Sequence, residues 1–382
     1  MIILAPDSFK DALSARDAAQ AMASGIRRVQ PEATLLCCPM GDGGEGTLDA
    51  IIAATGIERR ITTVVDALGR PIDAAWGWNE AEQTAIVELA EAAGLQQIAP
   101  DERDARHTTT EGVGLLIKAA LDAGARHLVL TLGGSATNDA GSGMMRALGL
   151  ELLDDAGTPL PPGGSALARL ARVNTDHLDP RLEKLTVQAA VDVNNPLCGP
   201  QGASAVFGPQ KGADADTVAE LDKALAHFAE QLGPFNGPDH ANTEGAGAAG
   251  GMGFAALAFL NATLVPGIEL VMAQVNFDEA LSDASLVITG EGRVDGQSLS
   301  GKTPIGIARR ARDAGVPVVV LAGSLGEGWT AIHDEGVTAT WALSDRPMAL
   351  EEALARCAEL LADRSEAVWR LWQQAARGQN RQ

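Results

Sequence analysis

Short apolar runs that end at glycine or at a polar turn recur along the chain and alternate with segments of helical character. They cover residues 2–5, 34–38, 128–132, 186–191, 286–289 and 316–321. Their Val, Ile and Leu content without strict in/out alternation is typical of parallel strands covered by helices on both faces. Helix signals lie between them: Ser14 precedes a helix over 15–29, and Pro304 opens one that Gly315 ends. The pattern predicts an α/β protein.

A different style of strand marks residues 62–88, where apolar and polar residues alternate around turn signals at 68–71 and Asn79. This alternation predicts antiparallel strands. The length of 382 residues corresponds to two or three domains. We therefore expect a Rossmann-like parallel-sheet domain formed by both chain ends, residues 1–65 and 285–382. A second α/β domain, residues 66–284, is inserted, with the active site in the cleft between them.

The charge balance limits the partners of the chain. The net charge is −21 and no run rich in Lys or Arg offsets it, which argues against nucleic acid and membrane surfaces as ligands. The four cysteines and six histidines lack the spacing of a zinc site or a disulfide framework. The N-terminus has no basic signal-peptide region, so a cytoplasmic location is expected.

One uncharged stretch of 24 residues, between Glu244 and Glu269, is long enough in principle to cross a bilayer. It contains six glycines together with Asn261, Thr263 and Pro266. We interpret it as a glycine-rich loop that runs into a buried helix.

Polar, glycine-rich segments follow several of the predicted strands, at 5–10, 39–47, 133–139, 192–196 and 290–295. Each one alone is typical of a tight turn with an Asx cap. Ligands of open α/β sheets, however, bind off the carboxyl ends of the strands, where helix N-termini offer N–H groups. Five such loops with charged residues together favour a site for a polyanion.

Carboxylates and cations stand within or next to these segments. The aspartates are Asp7, Asp42, Asp192 and Asp295, and the cations are Lys10, Arg293 and Lys302. Converging carboxylates suit a Mg²⁺–phosphate complex and a base that activates a hydroxyl, and the cations suit phosphate and carboxylate groups. Helix capping is the alternative role for each aspartate.

Residues 296–303, GQSLSGKT, satisfy the P-loop pattern letter for letter. The preceding apolar run ends at Thr289, so the strand–loop–helix context does not match that of a P-loop protein. Lys302 is still expected to bind phosphate at the N-terminus of the following helix.

Six long strings carry a resemblance to a known family. They are APDSFKDALSA, PMGDGGEGT, LGGSATNDAGSGMMRALG, NPLCGPQGASAVFGPQKGA, GAGAAGGMGFAALAFL and TGEGRVDGQSLSGKTPIGIA. Together they resemble the bacterial glycerate kinases, which act in glyoxylate and sugar-acid catabolism. The resemblance implies a two-domain α/β enzyme that uses ATP and Mg²⁺ to phosphorylate D-glycerate, commonly at the 2-hydroxyl. It also makes the P-loop match a coincidence.

The chain departs from the family pattern at Gly41, Ala140 and Asn194. Asp is frequent in the family where Asn194 stands, and an amide binds Mg²⁺ more weakly than a carboxylate, so we assign the carboxylate role to Asp192. The candidate catalytic residues, assigned by charge and position, are Asp192, Lys10, Asp42 and Asp7, with Asp192 and Asp42 also as Mg²⁺ ligands. The candidate contacts to substrate and phosphate are Ser8, Gly43, Gly44, Gly133, Gly134, Ser135, Asn138, Asn195, Glu291, Arg293, Asp295 and Lys302.

Three alternatives stay open at this point. A glycerate kinase could form 3-phosphoglycerate instead, and a two-domain protein could bind sugar acids without turnover. A nucleotide-dependent oxidoreductase would require a G-x-G-x-x-G turn after the first strand, where this chain has Pro6-Asp7-Ser8. The sequence leaves the oligomeric state open between a monomer and a homodimer.

Overall fold

The computed structural model describes residues 1–235 and 237–379. Within them the strands, in chain order, are β1 (Ile2–Pro6), β2 (Leu35–Cys37), β3 (Glu58–Val65), β4 (Pro71–Asn79), β5 (Thr84–Glu88), β6 (His127–Thr131), β7 (Glu151–Leu153), β8 (Arg172–Asn174), β9 (Thr186–Ala190), β10 (Thr263–Val265), β11 (Leu286–Val294), β12 (Val318–Leu325) and β13 (Val337–Ala342).

The helices between and after these strands are α1 (Ala15–Val29), α2 (Thr47–Thr55), α3 (Leu89–Ala93), α4 (Glu111–Asp122), α5 (Ser142–Ala147), α6 (Ala203–Phe207), α7 (Ala215–Gln231), α8 (Gly237–Ala241), α9 (Ala248–Leu260), α10 (Gly267–Gln274), α11 (Phe277–Ser282), α12 (Thr303–Asp313), α13 (Leu350–Ala355) and α14 (Cys357–Gln379). None of the helices in the described ranges is long and apolar enough to cross a membrane.

The chain divides into two compact units. The first comprises Met1–Asp42, Asp49–Gly56 and Ile268–Gln382, and the second comprises Gly43–Leu48 and Ile57–Gly267. The boundaries therefore lie near residues 57 and 267 and not at the expected 65 and 285. The reason is pairing: β3 is antiparallel to β4 along its whole length, which places residues 58–65 with the second unit.

A parallel five-stranded sheet with the order β13-β12-β11-β1-β2 forms the centre of the first unit. Strand β2 lies on one side of β1, whereas β11, β12 and β13 lie on the other side. The strand order therefore reverses between β1 and β11. Ligands of open α/β sheets bind at such a reversal, off the carboxyl ends of the strands. Asp7 directly follows β1, and Glu291 lies on β11 next to Gly290, which pairs with the last residue of β1.

Helix α1 begins as the sequence predicts, with the Ser14 side chain accepting a hydrogen bond from the Asp17 N–H. One face of α1 packs against α14, and the two backbones meet at Gly25. A Cβ at Gly25 would lie 1.9 Å from the Ala362 carbonyl oxygen. Only glycine therefore permits this helix contact, which closes one side of the core of the first unit.

The six-stranded sheet of the second unit has the order β10-β9-β6-β5-β4-β3. Strands β5, β6, β9 and β10 are parallel to one another, whereas β4 is antiparallel to both β3 and β5, which confirms the antiparallel strands predicted for residues 62–88. A separate antiparallel pair joins β7 to β8. The uncharged stretch after Glu244 contains the buried helix α9 and the short strand β10. The predicted α/β fold with parallel sheets is confirmed.

The expectation that the strand before the GQSLSGKT segment ends at Thr289 is wrong. Strand β11 continues to Val294 because β12 pairs with it as far as Leu325. Residues 290–294 are thus strand and not loop, and the segment 296–300 is a 3₁₀ turn between β11 and α12.

Candidate active site

A group of carboxylates lies at the strand-order reversal of the first unit. Asp7 follows β1, and its Oδ1 accepts the Ser8 N–H at 2.6 Å while its Oδ2 accepts the Thr303 hydroxyl at 2.5 Å. Burial and the nearby charge of Asp42 together raise the pKa of Asp7 to about 6. The two aspartates that follow β1 and β2 are therefore close enough to repel each other.

Glu291, on β11, faces the same group. Its Oε1 accepts the Ser298 hydroxyl at 3.0 Å. Burial raises the pKa of Glu291 to about 7, and the charges of Asp7 and Asp42 add to that rise, while the Ser298 hydrogen bond and Lys302 oppose it. A cation placed among these carboxylates would offset their repulsion and the cost of their burial.

The predicted cations of the first unit differ in their surroundings. Lys302 is the N-cap residue of α12 and makes no side-chain cap bond. Lys10 is exposed, and its backbone lies beside Gly292 of β11. The Arg293 Nε, by contrast, donates to Asp295 at 2.9 Å. Lys10 and Lys302 are thus the better placed of the three to meet an anion.

The chain segment 43–48 crosses the carboxyl ends of strands in the second unit. The Gly133 N–H donates to the Gly43 carbonyl at 2.9 Å. The Gly46 and Leu48 N–H groups donate to the carboxylate of Glu88, at 2.9 and 2.8 Å. Glu88 is the last residue of β5 and is buried. It fixes this segment and is not among the residues predicted from the sequence.

Glycine is required where this segment meets the sheet. A Cβ at Gly133 would lie 2.4 Å from the Gly44 Cα, and one at Gly43 would lie 2.8 Å from the Ala190 Cβ. The Gly43 N–H donates to the Thr47 hydroxyl at 3.2 Å. The N–H groups of Gly43 and Gly133 therefore donate to other groups of the protein. The role of these two glycines is to let the backbone of segment 43–44 approach the sheet closely.

Asp192 lies just beyond the end of β9. Its Oδ1 accepts the Gly267 N–H at 2.8 Å, which holds the carboxylate in one orientation at the start of α10. Asn195, three residues further, donates its side-chain N–H to the Gln201 carbonyl at 2.7 Å. The loop after β9 is thus held by its own polar side chains.

The loop after β6 contains Gly133, Gly134, Ser135 and Asn138. Gly134 adopts a left-handed conformation with φ +74°. Asn138 is fully buried and donates to the Ser204 hydroxyl at 2.8 Å. Ser135 accepts a hydrogen bond from Lys211, a buried lysine that is also not among the residues predicted from the sequence.

A signal for each missed residue was present in the sequence. Glu88 is a carboxylate at the end of an apolar run, the same criterion that singled out Asp192. Lys211 lies inside one of the family-like strings, between Gly208 and Gly212. It follows no strand, however, so its position gave no reason to place it at the sheet edge.

The predicted residues therefore fall into two groups. In the first unit the structure brings Asp7, Asp42, Glu291 and Lys302 together. In the second unit it brings segment 43–44 to Gly133 and to the end of β9. Among the described residues, no group of three or more His, Cys, Asp or Glu side chains is arranged to hold a metal ion by itself.

Comparison with known proteins identifies the family. The sequence profile described as "Glycerate kinase family" matches residues 2–373. The chain belongs to the glycerate kinase family. It is 45% identical to a glycerate kinase of Halalkalibacterium halodurans over 97% of this chain and 98% of that protein. It is 44% identical to the glycerate 2-kinase of Escherichia coli over 92% of both chains.

A solved structure agrees with this assignment. The crystal structure attributed to glycerate kinase 2 of Salmonella typhimurium superposes with a TM-score of 0.88 at 41% identity, covering 98% of this chain and 99% of that one. The chain is thus an enzyme of the glycerate kinase class, and a kinase of this class implies ATP as the phosphate donor.

Proposed function

We propose that the enzyme transfers the γ-phosphoryl group of ATP to the 2-hydroxyl of D-glycerate, in glyoxylate or sugar-acid catabolism, with Mg²⁺ as the metal. The observation that carries the position of phosphorylation is the likeness to the E. coli protein named glycerate 2-kinase, which extends over 92% of both chains.

The carboxylates of the first unit fit a Mg²⁺ ion that arrives with the nucleotide. Mg²⁺ is usually bound by one or two carboxylates together with phosphate oxygens and water, so a complete cage of protein ligands is not required. Burial, and to a smaller extent the repulsion between neighbouring carboxylates, raises the pKa values of Asp7 and Glu291, so a cation placed among them would favour their charged forms. Bound Mg²⁺ would neutralise charge on the transferred phosphoryl group.

We assign Asp42, beside Asp7 and Glu291, as a Mg²⁺ ligand and Lys10 and Lys302 as contacts to phosphate oxygens. An ammonium at a helix N-terminus, as at Lys302, adds its charge to the positive end of the helix dipole. In the second unit, Asp192 accepts the Gly267 N–H through one oxygen, which orients the carboxylate to accept the proton of the attacking hydroxyl.

Product analysis tests this proposal. The full-length enzyme is incubated with ATP, Mg²⁺ and each enantiomer of glycerate, and the phosphoglycerate is identified by NMR. We expect 2-phosphoglycerate from the D enantiomer. Formation of 3-phosphoglycerate alone would overturn the position of phosphorylation, and no ATP consumption with either enantiomer would overturn the proposed reaction.

The lysine assignments are tested by Lys10→Ala and Lys302→Ala. A hydrogen bond to a charged group contributes about 1.5 to 3 kcal/mol, so each variant should lose roughly tenfold to a hundredfold in kcat/KM at an unchanged melting temperature. Lys223→Ala, which removes an exposed lysine on α7, is the matched control. Wild-type kinetics in both lysine variants would exclude these residues from the phosphate site.

A further inference from the structure

A buried lysine in the second unit has no part in the roles assigned above. Lys211 is only 1% exposed. Its Nζ donates to the Ser135 hydroxyl oxygen at 2.8 Å and to the Thr137 carbonyl at 2.6 Å, both in the loop after β6. A lysine is rarely buried unless it is paired, so this placement needs a reason.

The backbone around Lys211 fixes where its ammonium lies. Gly212 is left-handed, with φ +90°, and a Cβ there would lie 2.2 Å from the Arg103 carbonyl oxygen. Gly250 is also left-handed and lies directly against the Thr137 carbonyl, since a Cβ at Gly250 would be 1.9 Å from that oxygen. Close backbone packing at Gly212 and Gly250 thus holds the turn that carries Lys211 and the carbonyl that accepts from it.

The charge that acts on Lys211 comes from the same loop. Asp139 is fully buried and accepts hydrogen bonds from the N–H groups of Thr110, Gly141 and Gly143, at 2.9, 3.1 and 3.1 Å. Burial lowers the pKa of Lys211 to about 7, and the Asp139 charge opposes that change. Within the described part of the chain, Asp139 is the titratable group whose charge changes the pKa of Lys211. We therefore expect Lys211 to change its protonation near neutral pH.

The protonation state decides the direction of the hydrogen bond to Ser135. An ammonium has donors only, so it must place a hydrogen on the Ser135 oxygen, and the serine must then direct its own hydrogen elsewhere. A neutral amine keeps two N–H donors but also has a lone pair, so it can accept the serine hydrogen while it still donates to the Thr137 carbonyl. In residues 1–235 and 237–379 we find no acceptor for that hydrogen other than Lys211 itself.

We propose that Lys211 is a positioning residue whose ammonium turns the Ser135 hydroxyl hydrogen toward an anionic oxygen of a bound substrate, and that deprotonation of Lys211 withdraws this donor. The inference rests on the proposed function, which supplies two anionic substrates, the carboxylate of glycerate and the phosphates of ATP. Both offer the oxygen that such a donor requires.

The test compares wild-type enzyme, Ser135→Ala, Lys211→Met and the double variant between about pH 6 and 9. KM is measured separately for glycerate and for ATP, each at a saturating concentration of the other substrate. In the wild type, KM for one substrate should rise roughly tenfold or more as the pH passes about 7, since a donor to a charged group is lost. The substrate whose KM rises is the one that Ser135 contacts.

Ser135→Ala should show a high KM at every pH without this rise, because it lacks the hydroxyl donor. The double variant should resemble Ser135→Ala, because Lys211 acts only through that same donor. A purely structural lysine would lower the melting temperature of Lys211→Met but leave the pH dependence of Ser135→Ala equal to that of wild type. That equality would overturn the proposal, and it is measurable even if Lys211→Met fails to fold.

Calorimetric titration of D-glycerate and of ATP at the same pH values separates this proposal from the proposed reaction. A wild-type affinity that falls above about pH 7, and does not fall in Ser135→Ala, supports the role of Lys211 without relying on turnover. Affinities with the same pH dependence in both proteins would refute it, whereas absence of phosphorylated product bears on the reaction alone.

Discussion

Replacing Asp7 by asparagine should stabilise the enzyme while it impairs turnover. The pKa of Asp7 is raised from 3.8 to about 6, mainly by burial and then by the charge of Asp42. Between these two values the folded protein binds more protons than the unfolded chain, so stability falls as the pH rises through this window and stays lowered above it. Asparagine has no charge to bury, so the variant should not lose stability as the pH rises.

The magnitude follows from the displacement of the pKa. At about 1.4 kcal/mol per pKa unit, the change from 3.8 to about 6 corresponds to about 3 kcal/mol near neutral pH. Asp7 keeps some contact with solvent, so we expect a gain of about 1 to 3 kcal/mol. The Asn side-chain oxygen still accepts the Ser8 N–H, and the Thr303 hydroxyl can rotate to accept from the amide.

Denaturant unfolding without Mg²⁺, at about pH 7.5 and about pH 4, measures this difference. The gain of Asp7→Asn should be present at the higher pH and nearly absent at the lower one, where the native carboxyl is protonated. Asp334→Asn, at an exposed aspartate, is the control and should change stability little at either pH. A loss of stability at about pH 7.5, or an equal gain at both pH values, would refute the electrostatic argument.

Three further substitutions have defined outcomes. Gly133→Ala places a Cβ 2.4 Å from the Gly44 Cα, so a thermal melt and a kinase assay should show a lowered melting temperature and reduced activity; Gly233→Ala, where a Cβ meets nothing within 4 Å, serves as its control. Glu88→Gln turns an amide N–H toward one of two backbone donors and should cost about 1 to 3 kcal/mol in denaturant unfolding. Asp192→Asn keeps the Gly267 hydrogen bond, so turnover should fall roughly 10² to 10⁴-fold at an unchanged melting temperature. Near-normal turnover would contradict the role of Asp192 as base.

The sequence by itself determined the features that depend on neighbouring residues. The start of α1 at Ser14, the α12 helix opened by Pro304 and the antiparallel strands of residues 62–88 follow from caps and periodicity, which act within a few residues. The six strings likewise gave the family. The aspartates after β1 and β2 were found because a parallel sheet brings its carboxyl ends to one edge.

Only the tertiary structure decided what depends on distant partners. The polar residues 290–294 are strand because β12 pairs with them, not because of their own pattern. Glu88 meets Gly46 across 42 residues, and Lys211 meets Ser135 across 76. Burial of a charge, and the shift in pKa that follows, is set by the groups that folding packs around it. Local sequence therefore fixes which residues are polar, whereas long-range packing decides which of them share a site and in which protonation state.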